Sequence, residues 1–404
     1  MEWLIVANSR QKHLTKAKKG KNDEFYTQWS DIEKEINAYI EYNENVFKGK
    51  TILLPADDPF ESNFFKFFAT KFNEFGLKKL IATSYAPSPI VNTQLTLLPE
   101  LVPEIELKGL NTVSRSKGAY KIELTEVIDE DATGTINIED VISRLKAEKS
   151  IIDSGGESLI LSYLEGDKNV DGINGFSAGD FRSKEVSILR EEADMIITNP
   201  PFSLFREFLT WINPLEKQFL IIGNMNAITY KEVFPLIKNN KIWLGTGMGR
   251  WISGFIVPDN YILYGTEARI EEGQRIVSTN NALWMTNIDH GKRHQPLSLM
   301  TMEDNKKFSK HKSVKGQEYS VYDNYKAIEV PYTDAIPSDY DEVMGVPISF
   351  LDKYTPEQFE IIGATESEGV GFSNGLWDSS SSFRQATVKG NKVYKRIFIR
   401  KVQL

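Results

Sequence analysis

Four consecutive residues, Asn199-Pro200-Pro201-Phe202, combine groups that can hold a planar amino group. Two prolines in a row fix φ twice and supply no N–H, so the carbonyls of Asn199 and Pro200 can point outward as acceptors. The Asn199 side-chain oxygen and a neighbouring carbonyl could accept both hydrogens of an exocyclic NH2, while Phe202 stacks on the ring that carries it. The same tetrapeptide could also be a plain stop between a strand and a loop, so the rest of the sequence has to decide.

Three further stretches carry side chains suited to a charged or purine-containing ligand. Phe25-Tyr26-Thr27 stands at the entrance of a predicted helix, where backbone N–H groups and a hydroxyl can hold a carboxylate, although a helix cap with two core aromatics fits the pattern too. Asp57-Asp58-Pro59 follows a predicted strand, and a carboxylate there would favour an amine or a sulfonium. Asp180-Phe181 could accept from an adenine amino group and cover its ring, or could form a turn with a buried Phe.

Alternating strand and helix patterns surround these residues. Short apolar runs predict buried strands at 51–55, 80–85, 193–198 and 218–224, and apolar residues at helical spacing predict helices over 31–42, from 62 and from 205. This alternation is typical of a doubly wound, mostly parallel α/β sheet, whose ligands bind beyond the carboxyl ends of the strands. The first of these strands is followed by no Gly-x-Gly, which excludes a dinucleotide-binding fingerprint.

Composition narrows the class of protein. The chain has 404 residues, a net charge of −8 and no cysteine, so disulfides, thiolate metal sites and cysteine nucleophiles are excluded. With only four histidines we expect no metal site. We also expect a cytoplasmic protein, because no apolar stretch is long enough to cross a membrane and no signal-peptide pattern opens the sequence. Basic clusters lie at 10–21, 306–315 and 389–401, and each could be an ordinary solvated surface.

Taken in order, four motifs resemble the EcoRI-type family of adenine-specific DNA methyltransferases. They are Asp23 to Gln28, Asp57 to Phe64, Gly179 to Ser183, and Asn199 to Phe202. The similarity continues through Ile222-Gly223-Asn224, through 284–294 and into 394–397, so it spans most of the chain. Only Asn-Pro-Pro-Phe is fairly specific by itself, but the ordered set makes a strong match.

The resemblance implies a Rossmann-like methyltransferase fold that uses S-adenosylmethionine as methyl donor and N6 of a flipped adenine in duplex DNA as acceptor. Carried onto this sequence, it implies that Asn199, Pro200, Pro201 and Phe202 hold the target base. It further implies a donor site with Phe25, Tyr26 and Thr27 at the methionine end, Asp57 at the ammonium side, and Asp180 with Phe181 at the adenine. Pro59 is a further member of that site. One departure from the broad fold is that Thr83-Ser84-Tyr85 stands where an acidic residue often binds the ribose.

The same resemblance suggests how the chain is divided and what it binds. We expect a basic, flexible arm at 1–22, a catalytic domain at 23–295 and a β-rich target-recognition region at 296–404. Lys292, Arg293 and His294 are predicted to contact DNA, with ordinary solvated charges as the alternative. A separate restriction endonuclease is a possible partner, and no membrane is expected.

Two other functions fit parts of this pattern. Methylation of a glutamine side-chain amide in a protein would use the same Asn-Pro-Pro-aromatic turn, because that amide is also planar. A catalytically inactive DNA-binding protein of the same fold is the second alternative. The basic clusters and the aromatic C-terminal half favour DNA over protein, and the intact turn favours transfer over an inactive protein.

Overall fold

The computed structural model describes residues 26–55, 57–85, 118–129, 134–167, 175–248, 252–257, 268–278 and 281–402. The chain forms two compact units. The first takes its described residues from Met1–Lys34, Asn45–Ile222 and Ile252–Thr279, and the second from Glu35–Glu44, Gly223–Trp251 and Asn280–Leu404. The predicted boundary after residue 295 therefore falls inside the second unit, and the predicted arm at 1–22 lies outside the described residues. None of the helices in these ranges is long and apolar enough to span a bilayer.

Helices and strands alternate through the first half of the chain, and strands dominate the second. The helices are α1 (Trp29–Tyr42), α2 (Asn63–Thr70), α3 (Ile138–Asp153), α4 (Lys184–Glu192), α5 (Phe205–Ile212), α6 (Phe234–Lys238) and α7 (Met302–Phe308). The strands are β1 (Tyr26–Thr27), β2 (Thr51–Leu54), β3 (Lys79–Thr83), β4 (Tyr120–Leu124), β5 (Leu161–Tyr163), β6 (Met195–Thr198), β7 (Gln218–Asn224), β8 (Trp243–Met248), β9 (Phe255–Val257), β10 (Ala268–Glu271), β11 (Gln274–Val277), β12 (Ala282–Thr286), β13 (Ile328–Glu329), β14 (Met344–Pro347), β15 (Phe359–Ala364), β16 (Thr387–Val388), β17 (Asn391–Lys392) and β18 (Arg396–Lys401).

A mixed sheet forms the centre of the first unit. Within this unit the hydrogen-bonded order is β5-β4-β3-β2-β6-β7. The pairs β2/β3, β2/β6 and β6/β7 are parallel, whereas β4 runs antiparallel to β3 and β5 antiparallel to β4. The chain is thus a mixed α/β protein, as the alternation in the sequence predicts.

Local sequence explains why these elements form where they do. Every residue of β2 and β6 is buried, as expected for apolar runs covered on both faces. Helix α2 begins after Ser62, whose hydroxyl caps it by accepting from the N–H groups of Phe64 and Phe65. The phenylalanines of α2 are all buried, so this helix packs into the core. The helix ends at Thr70, so Phe72 and Phe75, which continue the spacing of Phe64 and Phe68, lie beyond it.

A second, smaller sheet in the first unit has the order β1-β9-β11-β10. Strand β1 pairs antiparallel with β9, so that Tyr26 lies opposite Ile256 and Thr27 opposite Phe255. The Gln28 side chain donates to the Gly254 carbonyl (3.1 Å) and extends this contact by one residue. The short segment before α1 is therefore fixed by a strand that is distant in sequence.

The second unit is built from strands and short helices. Strands β8 and β12 pair antiparallel, β13-β14-β18-β15 form a four-stranded sheet, and β16 and β17 form a hairpin. Glu35 ties α1 to β8, because its buried carboxylate accepts from the N–H groups of Thr246 (2.8 Å) and Gly247 (2.9 Å). The described residues after 295 contain strands β13 to β18 and helix α7, and their role as a target-recognition region stays a prediction.

Candidate active site

Strand order in the first unit reverses between β2 and β6. From β2 the chain moves to β3 on one side, and from β6 it moves to β7 on the other, while β2 and β6 are direct parallel neighbours. In open α/β sheets, ligands bind beyond the carboxyl ends of the strands at such a switch point. The residues that follow these two strands are Asp57-Asp58-Pro59 and Asn199-Pro200-Pro201-Phe202, two of the motifs singled out in the sequence.

The Asp57 carboxylate joins these two motifs. Ser62 Oγ donates to Asp57 Oδ1 (2.7 Å), and the Thr198 hydroxyl contacts both Asp57 Oδ2 and the Pro55 carbonyl oxygen, the latter at 3.1 Å. Asp57 is only 7% exposed. Because Thr198 is the last residue of β6 and precedes Asn199, this contact holds the loop after β2 beside the Asn-Pro-Pro turn. Pro59, also predicted for the donor site, is buried in the same loop.

Thr27 reaches the same loop from the smaller sheet. Its carbonyl accepts from Asn63 Nδ2 (2.9 Å) at the start of α2, one residue after Ser62. Its hydroxyl oxygen is buried and has no hydrogen-bond partner within the part of the chain that the structure describes. A buried hydroxyl without a hydrogen-bond partner destabilises the folded protein. The Thr27 hydroxyl is therefore suited to bind a polar group of a ligand. Tyr26 is half-buried beside it, and Phe25 lies outside the described residues.

Phe202 links the Asn-Pro-Pro turn to the smaller sheet that contains Thr27, which completes a ring of contacts through the Asp57 loop. Its side chain is half-buried and meets Phe255 edge-on with ring centroids 6.2 Å apart, and Phe255 is the residue paired with Thr27. Asn199 and Pro201 are also half-buried, whereas Pro200 is buried. The Asn-Pro-Pro-Phe turn thus keeps exposed surface next to Asp57 and Thr27.

Asp58 has a different partner from Asp57. Its Oδ1 accepts from the Tyr120 hydroxyl (2.7 Å) and from the Phe60 N–H (2.9 Å). Burial raises the pKa of Asp58 above its ordinary value, and these hydrogen bonds only partly oppose the shift. Asp58 therefore fixes the loop to β4, while Asp57 faces the switch point.

Asp180 and Phe181 lie near the carboxyl end of β3. Gly179 has a positive φ of 76°, and a Cβ there would lie 2.0 Å from the Ser84 carbonyl oxygen, so the loop is pressed against the residue that follows β3. The Asp180 carboxylate is buried and paired with Arg182 (2.8 Å). Phe181 is 3% exposed and packs against Phe208, with ring centroids 5.0 Å apart. Its packing matches the buried-Phe alternative, and a role for either residue in holding adenine stays a prediction.

Lys292, Arg293 and His294 all hold partners within the second unit. Lys292 Nζ contacts Asp352 (2.6 Å) and the Thr246 carbonyl (3.0 Å). Arg293 is buried, with its guanidinium 3.7 Å from the centroid of the Trp243 ring and hydrogen bonds to Asp289 and Asn240. His294 bridges Asp289 and Glu357. DNA contact by these three stays a prediction, but each would have to exchange an existing partner for DNA.

Sequence reasoning missed several residues that build the site. Ser62, Asn63, Thr198 and Tyr120 orient the predicted residues, although the sequence assigned none of them a role. The available signals were the place of Ser62 and Asn63 inside the 57–64 motif and the position of Thr198 immediately before Asn199. Among the described residues, no group of three or more His, Asp or Glu side chains is arranged to hold a metal ion.

Comparison with known proteins adds independent findings. Residues 13–402 match the family described as adenine-specific methyltransferase EcoRI. The type II methyltransferase M.EcoRI of Escherichia coli is 43% identical over 359 residues, which cover 89% of this chain and 90% of that protein. The type II methyltransferase M.MpnI of Mycoplasma pneumoniae is 28% identical over 398 residues, which cover 97% of this chain and 98% of that protein. No solved structure matches the chain.

Proposed function

Because this chain belongs to the EcoRI family of adenine-specific methyltransferases and is therefore an adenine-specific DNA methyltransferase, we propose that it transfers the methyl group of S-adenosylmethionine to N6 of an adenine turned out of duplex DNA. The family membership decides against methylation of a protein glutamine. The observation that supports the proposed site is the ring of contacts at the switch point, which links Thr27, Asp57 and the Asn199-Pro200-Pro201-Phe202 turn.

The Asn-Pro-Pro turn would bind the target amino group. The N6 lone pair of adenine is delocalised into the ring, so the nitrogen is a weak nucleophile. Asn199 Oδ1 and the Pro200 carbonyl would accept its two hydrogens and draw the nitrogen toward tetrahedral geometry, which localises the lone pair. Held in this way, the nitrogen would take up the methyl group as the bond between that methyl and the donor sulfur breaks, which would leave a neutral thioether, and the amino group would pass one proton to solvent. In-line positioning supplies most of the remaining rate enhancement.

Phe202 would hold the flipped base by stacking. Flipping costs a few kcal/mol of lost stacking and pairing, which contacts in the pocket must offset. The half-buried ring of Phe202 is braced from one side by Phe255 and keeps exposed surface. An aromatic ring held in this way loses little conformational freedom when a base binds.

S-adenosylmethionine would supply an activated methyl group on a sulfonium. The residues present fit such a donor, because the buried Thr27 hydroxyl can pair with a polar group and the Asp57 carboxylate carries a charge opposite to that of the ammonium. Phe25 and Tyr26 would complete the methionine end, and Pro59 would line the loop beside Asp57. Asp180 and Phe181 would bind the donor adenine.

The same proposal implies which molecules the protein acts with and where it works. Duplex DNA is the partner in the reaction, and residues 296–404 would read its sequence. A separate restriction endonuclease with the same recognition sequence is a proposed counterpart, since the relatives are type II methyltransferases. A protein that modifies host DNA would work in the cytoplasm.

Transfer of labelled methyl groups tests the proposal. The purified protein is incubated with labelled S-adenosylmethionine and duplex DNA, and the labelled nucleoside is identified. We expect N6-methyladenine, and we expect Asn199→Ala to lower the transfer rate at saturating donor by at least about 100-fold, as loss of one positioned polar group commonly does. Asn73→Ala is the matched control, because Asn73 is exposed and its side-chain amide donates to the Val127 carbonyl.

Two results would contradict the proposal. Near-normal transfer by Asn199→Ala would remove the role of the turn. Absence of label in DNA with the unmodified protein would instead favour the alternative of an inactive DNA-binding protein.

A further inference from the structure

An exposed aromatic ring in the second unit is surrounded by positive charge. We use the name Phe383 loop for residues 376–393, which run from Leu376 through the hairpin β16–β17. Phe383 is 50% exposed, and the Lys392 ammonium lies 5.0 Å from the centroid of its ring. Arg384 lies over the half-buried Trp377 ring at 6.0 Å. Two cation–aromatic pairs therefore stand on one short, solvent-facing segment.

The backbone beneath these side chains is held in place. The Asn324 amide, which is buried, donates to the carbonyls of Phe383 (2.8 Å) and Gln385 (2.9 Å) and accepts from the Thr387 N–H (3.0 Å). Trp377 Nε1 also donates to the Phe383 carbonyl, at 3.0 Å. The Phe383 ring is exposed although its own backbone is firmly fixed. Because this backbone is already ordered, less conformational entropy is lost when a partner binds.

The hairpin tip is equally well defined. Lys389 and Gly390 form a two-residue turn with φ of 49° and 77°, the positive values that a type I′ hairpin needs. Asp323 accepts from both of their N–H groups, at 3.0 and 2.8 Å. A lysine is thereby held at a position that usually favours Asn or Gly, and its side chain is exposed at the tip.

Three cations on this loop make no ion pair with any residue in the described ranges: Arg384, Lys389 and Lys392. The neighbouring carboxylates accept hydrogen bonds from other groups, Asp378 from Ser380 and Glu366 from Ser373 and Gly371. Arg384 helps to lower the pKa of Glu366 but forms no ion pair with it. The cations that follow in sequence differ, because each from Lys395 to Lys401 is paired with an acid. In a chain of net charge −8, unpaired cations around an exposed ring indicate a polyanionic partner.

We propose that the Phe383 loop is a DNA-contact element of the second unit, in which Phe383 packs against a base-pair step or a sugar while Arg384, Lys389 and Lys392 bind backbone phosphates. This inference rests on the proposed function, which makes duplex DNA the substrate. Apolar side chains that enter a groove unstack a base step at modest cost, and phosphate contacts fix the register of the protein on the duplex. The loop is a better candidate for phosphate contact than Lys292 to His294, whose charges are already paired.

Duplex binding by the full chain tests the inference. A fluorescent duplex is titrated at several salt concentrations with the unmodified protein, with Phe383→Ala, and with the combined replacement Arg384→Gln, Lys389→Gln and Lys392→Gln. We expect Phe383→Ala to weaken binding roughly tenfold, as loss of one stacked ring does. The triple replacement should weaken binding and reduce the slope of log affinity against log salt by about 0.9 for each cation removed.

Matched controls come from the same unit. Phe308 is 68% exposed on α7, beside Lys306 and Lys307, which are paired with acids, so Phe308→Ala should bind DNA normally. Arg400→Gln removes a cation that is paired with Glu360 and should leave the salt slope unchanged. Thermal unfolding of each variant shows whether the fold is retained, and all of these side chains are exposed enough for that to be expected.

The outcomes separate this inference from the proposed function. If the unmodified protein methylates DNA but both loop variants bind the duplex like the controls, the inference is wrong and the function stands. If the unmodified protein binds the duplex without transferring methyl groups, the function is wrong and the loop is judged on binding alone. Failure of the unmodified protein to bind DNA would overturn both.

Discussion

Replacement of Asp57 can separate the effect of its charge from the effect of its hydrogen bonds. In Asp57→Ala, Ser62 loses the acceptor that lies 2.7 Å away, and a hydrogen bond to an ionised group contributes about 1.5–3 kcal/mol. Thr198 retains the Pro55 carbonyl, 3.1 Å away, as an acceptor for its single hydrogen. We therefore expect a loss of about 2–3 kcal/mol in unfolding free energy. For a unit of this size that lowers the melting temperature by roughly 5–10 °C.

Asp57→Asn should keep most of that stability. The amide oxygen can still accept from Ser62, and the amide nitrogen can donate to the Thr198 oxygen once that hydroxyl turns toward Pro55. The expected stability loss is below about 1 kcal/mol. Both variants nevertheless remove the negative charge proposed to face the donor ammonium. Affinity for S-adenosylmethionine should therefore fall by roughly 10- to 100-fold in both.

Calorimetric titration with S-adenosylmethionine, together with thermal unfolding, checks the two effects separately. Asp194→Asn is the control, because Asp194 accepts from the Thr51 N–H (2.8 Å) at the opposite, amino-terminal ends of β2 and β6. It should bind the donor normally. An Asp57→Asn protein that binds the donor within threefold of the unmodified chain would refute the assignment of Asp57 to the donor ammonium.

Three further predictions concern residues that stabilise the two units away from the proposed reacting groups. Burial lowers the pKa of His290 to about 4 despite its hydrogen bond to the Leu244 carbonyl, whereas the unfolded value is about 6.5. As the pH falls, the unfolded chain therefore binds the proton before the folded chain does, and up to about 3 kcal/mol of stability should be lost between pH 6.5 and 4. Unfolding measured over this pH range should depend less on pH in His290→Gln than in the unmodified protein. Arg293→Ala should lower the free energy of unfolding of the second unit by roughly 2–4 kcal/mol, because it removes the contact with Trp243 and the hydrogen bonds to Asp289 and Asn240. An unchanged midpoint in chemical denaturation would show that these contacts do not stabilise the unit. Gly179→Ala should lower the melting temperature much more than Gly155→Ala does, since both have positive φ but only Gly179 has a carbonyl in the way; equal losses would contradict the steric argument.

Much of the candidate site could be predicted from local sequence. Apolar runs covered on both faces locate β2 and β6, and the prolines after Thr198 end the second of these strands regardless of what surrounds it. The Asn-Pro-Pro-Phe turn is local chemistry too, since its carbonyl acceptors and its ring come from four consecutive residues. The ordered motifs then suffice to indicate the family, which the comparisons confirm.

Tertiary structure decided which of these pieces meet. Nothing local states that β2 lies beside β6, or that Thr27 pairs with Phe255, because periodicity reports that a segment is buried but not which segment covers it. The pairing of charged side chains cannot be read from local sequence either. Lys292 to His294 and the Phe383 loop are both basic in sequence, yet only the fold shows that acids neutralise the first group while the second keeps unpaired cations. The reason is that ion pairing depends on side chains brought together from distant parts of the chain, whereas strand ends and turns depend on the backbone of a few adjacent residues.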